Sequence, residues 1–169
     1  EEGTKFDFAT LKTVKSAKEV FFPQCEDIVS FEMTGKNISI IDNRKESEDF
    51  VVFGVRACDV KSFEILDRVF LSEPVDTFYA SRREKGVIVS LACSKPSETC
   101  FCSTFGIDAA SPAGDVSCWK TESEMFWQAN TEKGKQFTDS LTVLEDATGD
   151  AVEAEKEKIH AILERLPLK

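Results

Sequence analysis

Two apolar segments separated by a helical pattern constrain the fold of this chain more than any other feature. Residues 50–55 form a continuous apolar run, which is typical of a strand covered on both faces of a sheet. Between residues 60 and 70, apolar side chains recur at spacings of three and four, which predicts a helix. Residues 86–92 predict a second buried strand. Two such strands joined by a helix within ~40 residues form a right-handed crossover with parallel strands.

The segments before this unit predict an antiparallel hairpin. Residues 28–33 and 37–42 are expected to form its strands, with the turn at Gly35-Lys36. The charged residues 44–49 are expected to form a surface loop.

The segments after the unit predict a second hairpin and further helices. Residues 115–120 and 125–129 favour strands because Phe126 and Trp127 suit a pleated surface. Thr121 and Glu124 also match a helix capping box, so a helix competes there. Helical segments are expected at residues 76–85, 131–139 and 150–169, the last with Val152, Ile159, Ile162, Leu163 and Leu166 on its apolar face and Pro167 at its end.

These patterns together predict one α/β domain over residues 1–169. Its mixed sheet contains the parallel strand–helix–strand unit, with flanking helices and antiparallel hairpins. A chain of this length is long enough to bury a hydrophobic core without disulfide bonds.

Cysteines follow both strands of the parallel unit. Cys58 comes just after the first strand, and Cys93 comes directly after the second. Because the carboxyl ends of parallel strands lie along one sheet edge, we expect these two thiols to converge. Cys100 and Cys102 lie in the loop that begins at Cys93, and residues i and i+2 of an extended segment face the same side. The sequence therefore predicts four thiols at one edge, with Phe101 shielding them from water.

Four thiols can hold an iron–sulfur cluster or a zinc ion. Zinc sites usually draw their ligands from C-x2-C pairs, whereas this chain has C-x6-C-x-C and no C-x2-C. The wider spread of C-x-C favours a cluster whose ligands bind different irons. The helix after Cys58 also points its amino end at the site, which suits an anionic group. We therefore expect an iron–sulfur cluster, either [4Fe–4S] or [2Fe–2S], on Cys58, Cys93, Cys100 and Cys102, with zinc as the alternative.

Other interpretations of the cysteines stay open. Cys100 and Cys102 can be read as a thiol redox pair or sensor, and a metal-free interaction domain is a further alternative. Cys25 and Cys118 lie outside the group and are expected to pack as apolar side chains. His160, the one histidine, is expected near the carboxyl end of the last helix, where positive charge is favourable.

Charge and hydropathy exclude several classes of function. The 31 acidic and 21 basic residues give a net charge of −10, which repels nucleic-acid backbones. No apolar run approaches the ~20 residues that a membrane-spanning helix needs. The polar first residues are unlike a signal peptide, so a reduced cytoplasm is the expected location.

Three motifs carry a family resemblance: residues 53–59 (Phe-Gly-Val-Arg-Ala-Cys-Asp), residues 76–84 (Asp-Thr-Phe-Tyr-Ala-Ser-Arg-Arg-Glu), and Cys93 through Cys100-Phe-Cys102. Over residues 16–139 the chain resembles the amino-terminal region of a 4Fe–4S dicluster family of electron-transfer proteins. That family comprises sulfhydrogenase beta subunits and the corresponding iron–sulfur subunits of anaerobic sulfite reductase. Members continue into a ferredoxin-like segment, and this chain has no C-x2-C-x2-C run, so we expect it to be a fragment without that segment.

The resemblance implies a [4Fe–4S] cluster on the same four cysteines. It also implies a non-catalytic electron relay within a cytoplasmic, anaerobic, multisubunit oxidoreductase of the hydrogenase or sulfite reductase type. Other subunits of such a redox complex would be the partners. The alternative function is that of a structural zinc-binding domain used to assemble such a complex.

Overall fold

A computed structural model describes residues 7–8, 13, 15–46 and 48–165 of the chain. The strands are β1 (Val29–Thr34), β2 (Asn37–Asp42), β3 (Phe50–Val55), β4 (Gly86–Leu91), β5 (Val116–Lys120) and β6 (Met125–Ala129). The helices are α1 (Lys18–Phe21), α2 (Asn43–Glu46), α3 (Ala57–Phe70), α4 (Thr77–Lys85), α5 (Glu132–Asp139) and α6 (Asp150–Leu163), and a 3₁₀ turn spans Cys102–Phe105.

The larger sheet has the strand order β3-β4-β5-β6. Strands β3 and β5 each pair in parallel with β4, and β6 pairs antiparallel with β5. Helices α3 and α4 connect β3 to β4, whereas a loop over residues 92–115 connects β4 to β5. The prediction of an α/β fold with a mixed sheet, a parallel unit and antiparallel hairpins is confirmed. The carboxyl ends of β3, β4 and β5 therefore lie along one edge of the sheet.

Strand β4 is buried as its apolar sequence predicts, but the prediction that β3 is covered on both faces was wrong. Helices α1 and α3 cover one face of β3, while Val51 and Phe53 on the other face are exposed. Gly54 has a φ of +84°, a conformation that glycine adopts without a steric cost. It forms a bulge that shifts the register against β4 and turns Val55 into the core.

Three clusters of buried side chains join the helices to this sheet. Because successive residues of a strand point to opposite faces, β4 and β5 contribute to clusters on both sides. The clusters are built on Phe21, Phe63, Tyr79 and Ile88 with α1, α3 and α4; on Val89, Val116 and Cys118 with Phe137 of α5; and on Ala92, Ala110, Trp119 and Ile159 with α6.

The last helix begins at Asp150, as predicted, and buries Ile159 against Trp119. The indole nitrogen of Trp119 donates to the carbonyl of Ala110, with an N–O distance of 2.7 Å. The helix ends at Leu163 and a turn follows at residues 164–165, so the predicted continuation was wrong at these two residues, whereas Leu166 and Pro167 lie outside the described residues. None of the described helices is both long and apolar enough to span a lipid bilayer.

Strands β1 and β2 form the predicted hairpin as a separate two-stranded sheet, with Gly35 at a φ of +64° in the turn. The prediction of a surface loop over residues 44–49 was wrong at its start, because α2 follows β2 directly. The Asp42 carboxylate accepts the backbone N–H of Arg44 at 3.1 Å, which caps the first turn of that helix.

Candidate metal centre

The ends of β3 and β4 position two of the predicted thiols. Cys58 is the second residue of α3, and Cys93 lies two residues beyond the end of β4. Because these strands are parallel and adjacent, both cysteines lie at the same sheet edge, as the sequence predicts. The backbone N–H of Cys93 donates to the carbonyl of Ala109 at 2.9 Å, which holds this cysteine against the returning part of the loop. Cys93 is buried, whereas Cys58 is exposed.

The loop that follows brings Cys100 and Cys102 to this edge in a different conformation from the expected one. The backbone N–H of Cys100 closes a turn onto the carbonyl of Ser97 at 3.0 Å, and Cys102 begins the 3₁₀ turn. The prediction of an extended segment was therefore wrong. A loop with many small residues can satisfy its backbone groups internally, so alternation along a strand does not apply to it.

The candidate thiols are close enough together to interact electrostatically. Partial burial of its thiol raises the pKa of Cys58, and the carboxylate of Asp59 and the thiolate of Cys93 raise it further. Burial also raises the pKa of Cys102, and the thiolates of the other three candidate ligands add to this effect. Each ionised thiol therefore makes ionisation of its neighbours less favourable. Such a group is stabilised when positive charge, such as that of a metal, is added to it.

Positive charge and amide dipoles act on the same thiols. Burial raises the pKa of Cys93, but the guanidinium of Arg56 and the backbone N–H of Lys95 act in the opposite direction. The Sγ of Cys100 accepts a hydrogen bond from the backbone N–H of Ser97 at 3.3 Å, and the Ser97 hydroxyl lies 3.4 Å from the same sulfur. Donors of this kind stabilise a thiolate that carries negative charge.

Arg56 joins the elements that carry the site. It is the residue just before α3, and its side chain donates to the carbonyls of Ala92 at 3.0 Å and Phe8 at 2.8 Å. Arg82 and Arg83, by contrast, pair with the carboxylates of Glu26 and Asp67. The sequence shows which residues are arginines, but carbonyl acceptors leave no signal in it. The hydrogen bonds that Arg56 and Ser97 make are therefore visible only in the structure.

A small cavity of about 100 Å³ lies beside the end of β4. It is lined by Ala92 and Ser94, on either side of Cys93, and by Glu155 of α6. Glu155 is almost fully buried and pairs with Lys158 at 3.0 Å, so its carboxylate has a partner on its own helix.

The donor set fits a thiolate-bound metal group in its chemistry. All four candidate cysteines are free thiols, and at least two of them receive backbone N–H donors. Within the described ranges, no three Cys, His, Asp or Glu side chains are gathered closely enough to hold a metal ion. The thiols therefore lie near one another without converging on a single point. Ligands of a multi-iron cluster bind different irons and lie further apart than the ligands of one zinc ion.

Predictions for side chains around the site had mixed outcomes. Cys118 is fully buried, as predicted, and burial raises its pKa to about 12. Cys25 was expected to be packed but is exposed, because it lies in a bend whose neighbours are also exposed. Phe101, which was expected to shield the thiols, is 51% exposed, and its ring packs against Phe105 with 5.6 Å between centroids. His160 lies near the end of α6, as expected, and pairs with Asp108 at 2.9 Å.

Comparison with curated proteins identifies a relative named sulfhydrogenase 2 subunit beta, from Pyrococcus furiosus. The two are 34% identical over 109 residues, which cover 64% of this chain and 32% of the relative. The chain thus spans about a third of the length of this curated relative. The predicted resemblance to sulfhydrogenase beta subunits is confirmed. No protein-family model matches the chain, and no solved structure matches it.

Proposed function

We propose that this chain binds an iron–sulfur cluster through Cys58, Cys93, Cys100 and Cys102 and relays electrons within a multisubunit oxidoreductase. The observation that carries the proposal is the grouping of four free thiols at the carboxyl edge of parallel strands, within electrostatic reach of one another. Thiolates of this kind are the usual ligands of iron–sulfur clusters. We propose [4Fe–4S] as the cluster, with [2Fe–2S] or a zinc ion as the alternatives that the experiment below distinguishes.

The chain's own residues would hold and tune the bound group. Such a cluster supplies one-electron transfer, with no bond to a substrate, so the chain's role is non-catalytic. Cys93 is held by its bond to Ala109, and the N–H of Ser97 points at the sulfur of Cys100. The guanidinium of Arg56 adds positive charge near Cys93. Donors and positive charge both favour the more negative, reduced state, which raises the reduction potential.

The relative supports the proposal of a redox complex. Its name describes a subunit of a sulfhydrogenase, and this chain is similar to part of it. We therefore propose other subunits of a hydrogenase-type complex as partners, with a sulfite reductase-type complex as the second possibility that the motifs suggest. The proposed location is an anaerobic, reduced cytoplasm, where thiolate-ligated clusters persist and disulfides do not.

Metal and spectroscopic analysis of the anaerobically purified protein tests the proposal. We expect a brown protein with broad visible absorption and about four irons per chain, or about two for a [2Fe–2S] cluster. A colourless protein with one bound zinc would replace the electron-transfer proposal with the structural zinc alternative. A thiol redox protein would show neither metal, and a disulfide between Cys100 and Cys102 would form on mild oxidation.

Single substitutions test the ligand assignment. Cys102→Ser and Cys58→Ser should each remove the visible chromophore and most of the bound iron, because each removes one thiolate. Cys25→Ser is the matched control, since Cys25 is an exposed free thiol in the segment between α1 and β1. Chromophore loss in the Cys25 variant, with retention in the Cys102 variant, would refute the assignment.

A further inference from the structure

The hairpin of β1 and β2 presents an apolar face to solvent. Register places Phe31 opposite Ile40 and Met33 opposite Ile38, with Val29 at the base of the same face. Residues directly opposite each other in antiparallel strands point to the same side of the sheet. These five side chains, called the ribbon face below, are between 60% and 76% exposed.

The opposite side of the hairpin is polar apart from Ile41, which lies opposite Ser30 and is partly buried. There the register pairs Glu32 with Ser39 and Thr34 with Asn37. The hairpin thus has the two-faced pattern of a sheet that packs on an apolar layer, although that layer is missing from the part of the chain that the structure describes. Because an isolated two-stranded hairpin is only marginally stable in water, a covering surface would stabilise it.

The ribbon face carries no net charge. Asp42, opposite Val29, is the charged residue in register with it. Its carboxylate accepts hydrogen bonds from the Nη2 of Arg44 at 2.6 Å and from the Nε at 2.7 Å. The guanidinium therefore compensates the negative charge of Asp42. The interfaces of homodimers and of permanent complexes are more apolar than interfaces between partners that associate transiently. An uncharged face of five large apolar side chains matches the former class.

The area of the ribbon face is sufficient for a weak dimer. At roughly 100–130 Å² of accessible surface for each side chain, it presents about 600 Å², at the upper end of the patches found on monomeric proteins. Two such faces packed together bury about 1,200 Å², which is the lower limit for specific interfaces. Two-fold symmetry allows a face of this kind to pack against its own copy.

We propose that the ribbon face is a dimer interface, at which two copies of this chain pack hairpin against hairpin. The inference goes beyond the proposed electron-transfer function and does not depend on a bound metal group. A buried area at the lower limit is typical of weak association, and we take a micromolar dissociation constant as the expected value. Since each chain carries a net charge of −10, long-range repulsion opposes association and added salt should strengthen it.

Sedimentation equilibrium of the purified chain tests the proposal, at concentrations from about 5 to about 500 µM to bracket a micromolar dissociation constant. We expect the mass to rise from 18.9 kDa towards twice that value, and to rise at lower protein concentration in high salt. A mass that stays monomeric over the whole range overturns the proposal.

Two double variants separate the ribbon face from the rest of the surface. Met33→Lys with Ile40→Lys adds two positive charges to the ribbon face and should weaken dimerisation at least tenfold. Thr34→Lys with Ser39→Lys adds the same charges to the polar side of the same strands and is the matched control. All four positions are exposed, so neither variant places a charge in the core. A dimer that the first variant leaves intact, or that both variants weaken equally, uses another surface and refutes the proposal.

Hydrogen exchange shows which part of the chain forms the dimer interface. Backbone amides of β1 and β2 should become more protected as protein concentration rises, while amides of α6 should not change. Protection confined to the larger sheet, with the hairpin unchanged, would also contradict the ribbon-face dimer.

Discussion

The guanidinium of Arg56 donates a hydrogen bond to the backbone carbonyl of Ala92, with 3.0 Å between Nη1 and the oxygen. Arg56 lies two residues before Cys58, and Ala92 lies directly before Cys93. The bond therefore fixes, relative to each other, the two strand ends that carry half of the candidate ligands. A second hydrogen bond from Arg56, to the carbonyl of Phe8, holds the guanidinium in a fixed orientation.

Arg56→Gln should lower both the iron content and the reduction potential of the reconstituted protein. The substitution removes the bond to Ala92 and a positive charge that favours the reduced cluster. Arg56→Lys keeps the positive charge but loses the two-pronged donor geometry of the guanidinium. We therefore expect it to lower the iron content clearly while changing the reduction potential little. Redox titration and iron analysis measure the two effects. Arg68→Gln, an equal change of charge at an exposed position near the other end of α3, is the control and should alter neither quantity.

Asp67→Asn should lower the free energy of unfolding by about 2 kcal/mol, because charged hydrogen bonds in partly buried positions contribute roughly 1.5–3 kcal/mol. The carboxylate of Asp67 accepts both the Nε and the Nη2 of Arg83, at 2.8 and 2.9 Å, and the hydroxyl of Tyr79 at 2.7 Å. Thermal unfolding should show a midpoint lowered by about 4–8 °C. Glu64→Gln breaks the exposed pair with Lys61 and should cost less than ~0.5 kcal/mol. Equal losses in the two variants would contradict this difference.

The contribution of Asp67 should depend on pH. Burial alone would raise the pKa of Asp67, but the hydrogen bonds from Arg83 and Tyr79 outweigh it and hold this pKa below its ordinary value. A carboxyl group whose pKa is lower in the folded state stabilises the fold fully above its unfolded-state pKa, near ~3.9. The stabilisation is lost as the pH falls through the lower, folded-state value.

Urea unfolding of the wild type and of Asp67→Asn measures this dependence. The difference in unfolding free energy should be constant above about pH 5 and should shrink below about pH 4. A difference that grows on acidification would show that the folded-state pKa is raised instead.

The parallel unit of β3, α3 and β4 was predictable because it follows from local patterns, whereas the parallel pairing of β5 with β4 was not predicted. The apolar run at 86–92 and the helical spacing between residues 60 and 70 each determine one element, and the handedness rule for parallel strands determines how they connect. The strand-end positions of Cys58 and Cys93 follow from the same reasoning.

The finer parts of the site depend on contacts that have no sequence pattern. The conformation of the loop from Cys93 to Cys102 is determined by backbone bonds, such as the one from Cys100 to Ser97. The exposure of Phe101 and Cys25 could not be predicted from the sequence either. Hydrophobicity indicates that a side chain favours burial, but not whether a neighbouring element is present to cover it.

Cysteine reactivity in the metal-free native protein should separate Cys25 from Cys118. The thiolate is the nucleophile in alkylation. Burial raises the pKa of Cys118 to about 12, so its thiol is almost entirely protonated at neutral pH, and it is also inaccessible to the reagent. Pulse alkylation with iodoacetamide, followed by peptide mass spectrometry, should label exposed Cys25 first and Cys118 only after unfolding. Labelling of Cys118 at the rate of Cys25 in the native protein would show that β5 is not covered as described.

Gly134→Ala should destabilise the fold by roughly 2–3 kcal/mol, as over-packing of a tight contact does. Gly134 lies in the first turn of α5, where this helix crosses the start of β5, and an added Cβ would clash with the backbone carbonyl of Asp115. A backbone atom cannot move aside as a flexible side chain can, so α5 would have to shift away from the sheet.

Gly149→Ala is the matched control, because its Cβ would meet no atom within 4 Å and its φ of −71° suits any residue. Its effect should be neutral or stabilising by less than ~1 kcal/mol. Urea unfolding followed by the fluorescence of Trp119 and Trp127 measures both variants. Since Trp127 packs against Phe137 of α5, with 6.0 Å between ring centroids, its emission should also respond to a shifted helix in Gly134→Ala. Unchanged stability and emission in that variant would show that α5 does not approach β5 as closely as described.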